Sequence, residues 1–143
     1  MDPAQIAQQF LNYSSRNVFL TGKAGTGKTT FLRELAEHCH KSFIVVAPTG
    51  VAALNAGGVT IHSQFLFPLG SFLPEGSAAQ YPNQNFFDRS ALSRRHSLNA
   101  ARKQVLQGID LLVIDEVSMC RADLLDAIDQ RLRQARRKNK AFG

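Results

Sequence analysis

Several things are scarce or missing in this chain, and each narrows the field. No apolar run approaches the ~18–20 residues of a membrane-spanning helix. The N-terminus has no basic segment followed by a long apolar stretch, so it does not read as a secretory signal. There are only two cysteines, Cys39 and Cys120, far apart and without metal-ligand spacing, which points to free thiols in a reducing compartment. Internal repeats are absent. Together these features predict a cytosolic protein. At 143 residues with 44% hydrophobic residues, the chain is long enough for one domain with a substantial core.

Acids are missing from one place in particular. Arg131, Arg133, Arg136, Arg137, Lys138 and Lys140 fall within ten residues that hold no acid, and these six equal the net charge of +6. A basic stretch of this kind can be a nucleic-acid footprint. The reading favoured here is the solvated C-terminal end of a helix, whose dipole cations complement. Leu124, Leu125, Ile128 and Leu132 supply that helix with an apolar stripe.

The most informative residues present are Gly22-Lys23-Ala24-Gly25-Thr26-Gly27-Lys28-Thr29, the G-x-x-x-x-G-K-T pattern of a phosphate-cradling P-loop. The apolar run Val18-Phe19-Leu20 before it predicts a buried strand over about Asn17 to Thr21. A helix is expected from Thr30 to about His40. Glycines let the backbone turn with φ > 0 and bring its N–H groups to a nucleotide's phosphates. The helix that follows points its positive end at the same anion. Gly22, Gly25, Thr26, Gly27, Lys28, Thr29 and Thr30 are therefore candidate nucleotide contacts. Lys28 can reach the β- and γ-phosphates, and the Thr29 hydroxyl is placed to bind Mg²⁺.

A second acidic motif completes this chemistry. Leu111-Leu112-Val113-Ile114 has the continuous apolar character of a strand covered on both faces, and Asp115-Glu116 follows at its C-terminal end. Asp115 is the candidate second metal ligand. Glu116 is the candidate base for an attacking water. The catalytic set is then Lys28, Asp115 and Glu116. Alternating strand and helix signals, with further strands at Ser42 to Ala47 and helices at about 4–13, 51–55 and 98–107, predict an α/β P-loop NTPase with a parallel sheet and helices on both faces. Residues from about 64 to 96 lack periodicity and hold three of the five prolines, reading as a long insertion. Its Phe65, Phe67, Phe72, Phe86, Phe87 and Tyr81 are expected to pin it to the domain. With Arg89, Arg94 and Arg95 they could instead stack bases.

Residues 47–63, Ala-Pro-Thr-Gly-Val-Ala-Ala-Leu-Asn-Ala-Gly-Gly-Val-Thr-Ile-His-Ser, resemble the petite-integration-frequency (PIF) family of superfamily 1 DNA helicases, relatives of RecD. The P-loop Thr21 to Thr29 and the stretch Ile114-Asp115-Glu116-Val117-Ser118-Met119 resemble that family's other motifs, in the family's order. Arg121 to Asp129 is most similar to bacterial members. The resemblance implies a RecA-like motor domain, ATP and Mg²⁺ as cofactors, and 5′→3′ travel on single-stranded DNA in a bacterial cytoplasm, at the nucleoid. It carries Pro48, Thr49 and Gly50 over as backbone contacts to the strand, and His62 and Ser63 as further contacts. A hydroxyl and backbone N–H groups are suitable phosphate ligands. Gln5 lies at about the distance before the P-loop at which the family has an adenine-reading Gln.

The family's next motif and its second motor domain, with arginine fingers, are not found within these residues. The resemblance thus implies that residues 1–143 are the N-terminal part of the first motor domain, which alone cannot translocate. Another P-loop enzyme, such as a small kinase or an AAA-type ATPase, and a non-catalytic nucleotide-binding module remain as alternatives.

Overall fold

The computed structural model describes residues 2–143. Its centre is a parallel sheet in the order β2-β1-β5, made from β1 (Phe43–Ala47), β2 (Val59–Thr60) and β5 (Leu111–Ile114). The helices are α1 (Pro3–Tyr13), α2 (Lys28–His38), α3 (Gly50–Ala56), α4 (Ile61–Phe65), α5 (Arg89–Arg94), α6 (Ala100–Gly108) and α7 (Ala122–Arg136). A parallel pair needs a crossover connection. α3 provides it between β1 and β2, entered from the Thr49 cap and ended by Gly57 in the left-handed conformation at φ 71°. The return to β2 is so close that a Cβ on Gly58 would lie 2.2 Å from the Val45 carbonyl oxygen, so only glycine fits there.

The core joins the sheet to α7 and to the segment between α4 and α6. Val46, Ile61, Phe65, Phe87, Leu92, Leu106 and Ile128 are buried together. α7 follows the i, i+3, i+4 rule throughout, burying Leu124, Ala127, Ile128, Leu132 and Ala135 on one face.

Three expectations need correction. The strand expected at Asn17–Thr21 is not formed. These residues have no regular structure and pair with no strand among the described residues, and Phe19 is 75% exposed. The apolar run is real, but a strand exists only through a ladder partner, and β5 pairs with β1 on its other side. For the same reason Leu111–Ile114 are half-buried rather than covered on both faces.

The stretch 64–96 is not structureless either. It contains β3 (Ser71–Phe72) and β4 (Phe86–Phe87), a two-residue parallel pair, followed by α5. Its aromatics do pin it down. Phe67 lies 5.6 Å from Phe65 and 5.9 Å from Phe87, centroid to centroid, and Phe72 lies 5.5 Å from Phe87. Elements this short carry no periodicity, because two residues cannot display an alternation.

Finally, the basic stretch is neither one solvated end nor one footprint. Arg131 is buried, Arg133 pairs with Asp129 at 2.9 Å, and Arg136 donates to the carbonyls of Leu106 and Ile109. Only Arg137, Lys138 and Lys140 are exposed.

Candidate functional site

The sheet register decides where the chemistry gathers. Ala47 pairs with Thr60 and Val46 with Ile114, all in parallel strands. The residues that leave the C-terminal ends of these strands are therefore neighbours along one edge: Pro48, Thr49 and Gly50 after β1, Ile61 to Ser63 after β2, and Asp115 and Glu116 after β5. The Asp115 N–H still donates to the Val46 carbonyl at 2.9 Å, which fixes the acid at the strand's exit. Open parallel sheets bind their ligands at this edge.

The P-loop faces the same edge. Gly25 and Gly27 have φ of 77° and 92°, which a side chain would make costly. The Thr26 hydroxyl donates to the Lys23 carbonyl at 2.8 Å and tightens the turn. The Lys28 ammonium donates to the carbonyls of Gly22 and Lys23 at 2.7 and 2.9 Å, so its charge lies within the curve of the loop. Thr29 and Thr30 are exposed in the first turn of α2, where the positive end of the helix adds to the field. A cavity of about 360 Å³ is lined by the apolar side chains of Val18 to Leu20, Phe31 and Leu111 to Ile114, and by Thr21, Gly22, Lys28, Asp115 and Glu116; Gly25, Thr26, Gly27, Thr29 and Thr30 lie outside this lining. The two motifs, 87 residues apart from Lys28 to Asp115 in sequence, thus share one cleft.

Glu116 has φ 50° and ψ 43°, the left-handed region, which costs a non-glycine residue roughly 1–2 kcal/mol. Backbone strain of this kind concentrates at functional sites. Its own N–H donates to Asp115 Oδ1 at 2.9 Å, leaving Oδ2 to face elsewhere. Thr29 and Asp115 offer a hydroxyl and a carboxylate, hard oxygen donors that suit Mg²⁺. Among the described residues no group of three or more His, Cys, Asp or Glu could hold a metal. A cation held mainly by phosphates, with few protein ligands, fits that donor set.

On the other side of the edge, the Thr49 side chain caps α3, accepting from the Ala52 N–H at 3.2 Å, and Gly50 opens the helix. Thr60 caps α4 in the same way, accepting from the Ser63 N–H at 3.1 Å. α4 then presents His62 and Ser63. Arg33 of α2 donates to the Asn55 carbonyl at 3.3 Å and links the P-loop helix to α3. Gln5 is not brought to the cleft. It sits in the first turn of α1, where it accepts from the Asp2 N–H at 3.3 Å.

Burial holds the His62 pKa below its ordinary 6.5, and the Arg121 charge lowers it further. The ring also meets Phe67 edge-on at 6.3 Å. His62 is therefore neutral at pH 7 and offers no cation to a phosphate. As the pH falls through 6.5 the unfolded chain takes up this proton first, so stability falls with pH until the folded value is passed. Melting temperatures of the wild type and of His62→Gln, compared from about pH 7.5 to about pH 5, should diverge on the acid side, the wild type losing more.

The comparisons with known proteins match this geometry. The family model described as PIF1-like helicase matches residues 4–143. The chain belongs to the PIF1-like helicase family. It is 36% identical to the ATP-dependent DNA helicase PIF1 of Saccharomyces cerevisiae (strain YJM789) over 91% of its own length and 14% of that protein. To the Pif1 of Psychrobacter sp. (strain PRwf-1) it is 34% identical, covering 91% of this chain and 18% of the other. A solved Bacteroides Pif1 bound to single-stranded DNA superposes with a TM-score of 0.79 at 40% identity, covering 98% of this chain and 29% of that one. A Bacteroides Pif1 in complex with ADP-AlF4 gives 0.81 at 39% identity, covering 100% and 30%. The chain thus spans less than a third of the relatives it matches, and its fold is that of their RecA-like P-loop domain.

The residues missed from sequence are those that hold the edge together. Arg102 and Arg131 lie outside both motifs in sequence, yet both donate to the end of α4. One signal for Arg131 was present: it lies three residues after Ile128, on the stripe that α7 buries.

Proposed function

We propose that this chain is the ATP-binding part of an ATP-dependent DNA helicase, residues 1–143 forming the N-terminal part of its first motor domain. In this reading ATP hydrolysis drives 5′→3′ movement on single-stranded DNA and duplex unwinding, in the cytoplasm beside the nucleoid. One observation carries the reading: the strand register puts Asp115-Glu116 and the Thr49 and His62-Ser63 segments on the same edge of one sheet, and Gly22 and Lys28 of the P-loop line the cavity that those acids also line. Nucleotide and strand then share a short mechanical path, which a kinase or a plain binding module does not need. The relatives caught with single-stranded DNA and with ADP-AlF4 support both ligands.

The residues divide the work. The P-loop amides, with Lys28, hold and neutralise the phosphates, and Glu116 takes the proton of the attacking water. Thr29 and Asp115 would hold Mg²⁺, which when bound neutralises charge on the β- and γ-phosphate oxygens. Pro48, Thr49, Gly50 and Ser63 line the phosphate backbone of the strand, with His62 contributing a neutral ring.

Thr49 provides the test, and its cap role dictates the variants. Thr49→Ala removes both the cap, worth about 0.5–2 kcal/mol of stability, and the hydroxyl. Thr49→Ser keeps both. In the full-length protein Thr49→Ala should lower single-stranded DNA affinity equally for oligonucleotides of different sequence, since a backbone contact carries no base information. Thr49→Ser should stay near wild type. Affinity should fall steeply with salt as counterions are released. A loss confined to one base sequence, or none with Ala, would contradict a strand contact at Thr49.

A further inference from the structure

α4 is only five residues long, yet its last three carbonyls are all satisfied, and from outside. The last carbonyls of a helix have no partner within it and must find donors elsewhere. Here the Ser63 and Gln64 carbonyls accept from Nη1 of Arg102 on α6, the second at 3.3 Å. The Phe65 carbonyl accepts from Nε of Arg131 on α7 at 2.8 Å, and the Leu66 carbonyl from its Nη2 at 3.2 Å. Four consecutive carbonyls are thus closed by two guanidinium groups on two other helices.

Arg131 does more. Its Nη1 donates to the Leu92 carbonyl at 3.0 Å and its Nη2 to the His96 carbonyl at 2.7 Å, both at the C-terminal end of α5. Its guanidinium also lies 5.6 Å from the Phe67 ring centroid. The side chain is 1% exposed and has no carboxylate partner among the described residues. Burial draws its pKa down to about 10, so it stays charged at neutral pH. A buried cation held only by carbonyls and a ring is costly to keep. The carbonyls it meets lie at the negative ends of two short helices, where a cation is stabilised.

These helix ends matter because of what they carry. α4 presents His62 and Ser63, while α7 follows the strand that ends in Asp115 and Glu116. We infer that Arg131, assisted by Arg102, is a positioning residue that fixes α4 against α7 and so sets the DNA-side segment relative to the ATP cleft. Neither residue touches nucleotide or strand in this scheme. The inference rests on the proposed strand contact at His62 and Ser63.

Lysine keeps the charge of Arg131 but is a compact point charge that cannot reproduce the planar fork across two helix ends. In the full-length protein, Arg131→Lys should raise the concentration of single-stranded oligonucleotide that half-saturates ATPase stimulation by ~10-fold, the loss of about one charge-assisted contact. The DNA-independent rate and the KM for ATP should stay within about twofold, since the cleft is untouched. Arg102→Gln, on the half-exposed face of α6, should shift the same quantity in the same direction by less, with a melting temperature near wild type. It keeps the test decisive if Arg131→Lys does not fold.

A general structural fault would move ATP and DNA parameters together, and that outcome would overturn the positioning role. So would folded variants with an unchanged DNA requirement beside a wild type that responds to DNA. A wild type that does not respond to single-stranded DNA at all would remove the proposed function, and this inference with it.

Discussion

Replacing Lys28 by Ala should stop ATP hydrolysis in the full-length protein and weaken nucleotide binding. The ammonium lies inside the P-loop, held by the Gly22 and Lys23 carbonyls, where its charge can follow phosphate oxygens during transfer. Removing one preorganised donor from a site of developing negative charge costs on the order of 10²–10³ in kcat, and a charged donor facing phosphates belongs at or above that range. Folding should hardly change. The two carbonyls sit on an exposed loop where water replaces the lysine, so the melting temperature separates lost chemistry from lost structure. Turnover near wild type, measured by phosphate release, would sink the P-loop assignment.

Glu116→Gln should leave ATP binding largely intact and slow hydrolysis by a factor on the order of 10²–10⁴. The amide has the same size and the same left-handed backbone to satisfy, so neither packing nor strain changes. It can still orient a water but cannot take its proton. Asp115→Asn should behave differently. Asp115 is placed by its N–H bond to Val46 and is proposed to act through the metal, so its loss should show as an altered Mg²⁺ requirement. Magnesium titrations of the ATPase rate compare the two variants. The same change in magnesium dependence for both would contradict separate roles.

Legibility in the sequence followed the physics of each element. The P-loop and its helix were readable because a phosphate turn demands particular residues at particular spacing, and Gly25 and Gly27 have the positive φ that those residues predict. The strands at Phe43–Ala47 and Leu111–Ile114 were readable as apolar runs closed by Pro48 and by Asp115. The run Val18-Phe19-Leu20 looked equally strand-like. Composition reports the preference for a sheet but not the presence of a ladder partner, and here it misled. The insertion was missed as structure because two-residue strands leave no pattern.

The basic stretch was misread for a different reason. Charges that adjoin along the sequence point in different directions around the helix. Around α7, Arg131 falls between Ala127, Ile128 and Ala135 on the buried face, while Arg137 and Lys138 lie beyond the helix. Asp115 and Glu116 were legible as acids after a strand. Their meeting with Lys28 at one cavity, and the pairing of Ala47 with Thr60 that sets Thr49 near α4, depend on contacts between distant segments, which only the folded chain reveals.

The most direct test is the steady-state ATPase rate of the full-length protein with and without a single-stranded oligodeoxynucleotide, at saturating ATP and Mg²⁺. If nucleotide cleft and strand contacts share one sheet edge in one machine, the strand should raise the rate severalfold, and Lys28→Ala should abolish both the basal and the stimulated rate. A rate that is unaffected by single-stranded DNA would contradict the account.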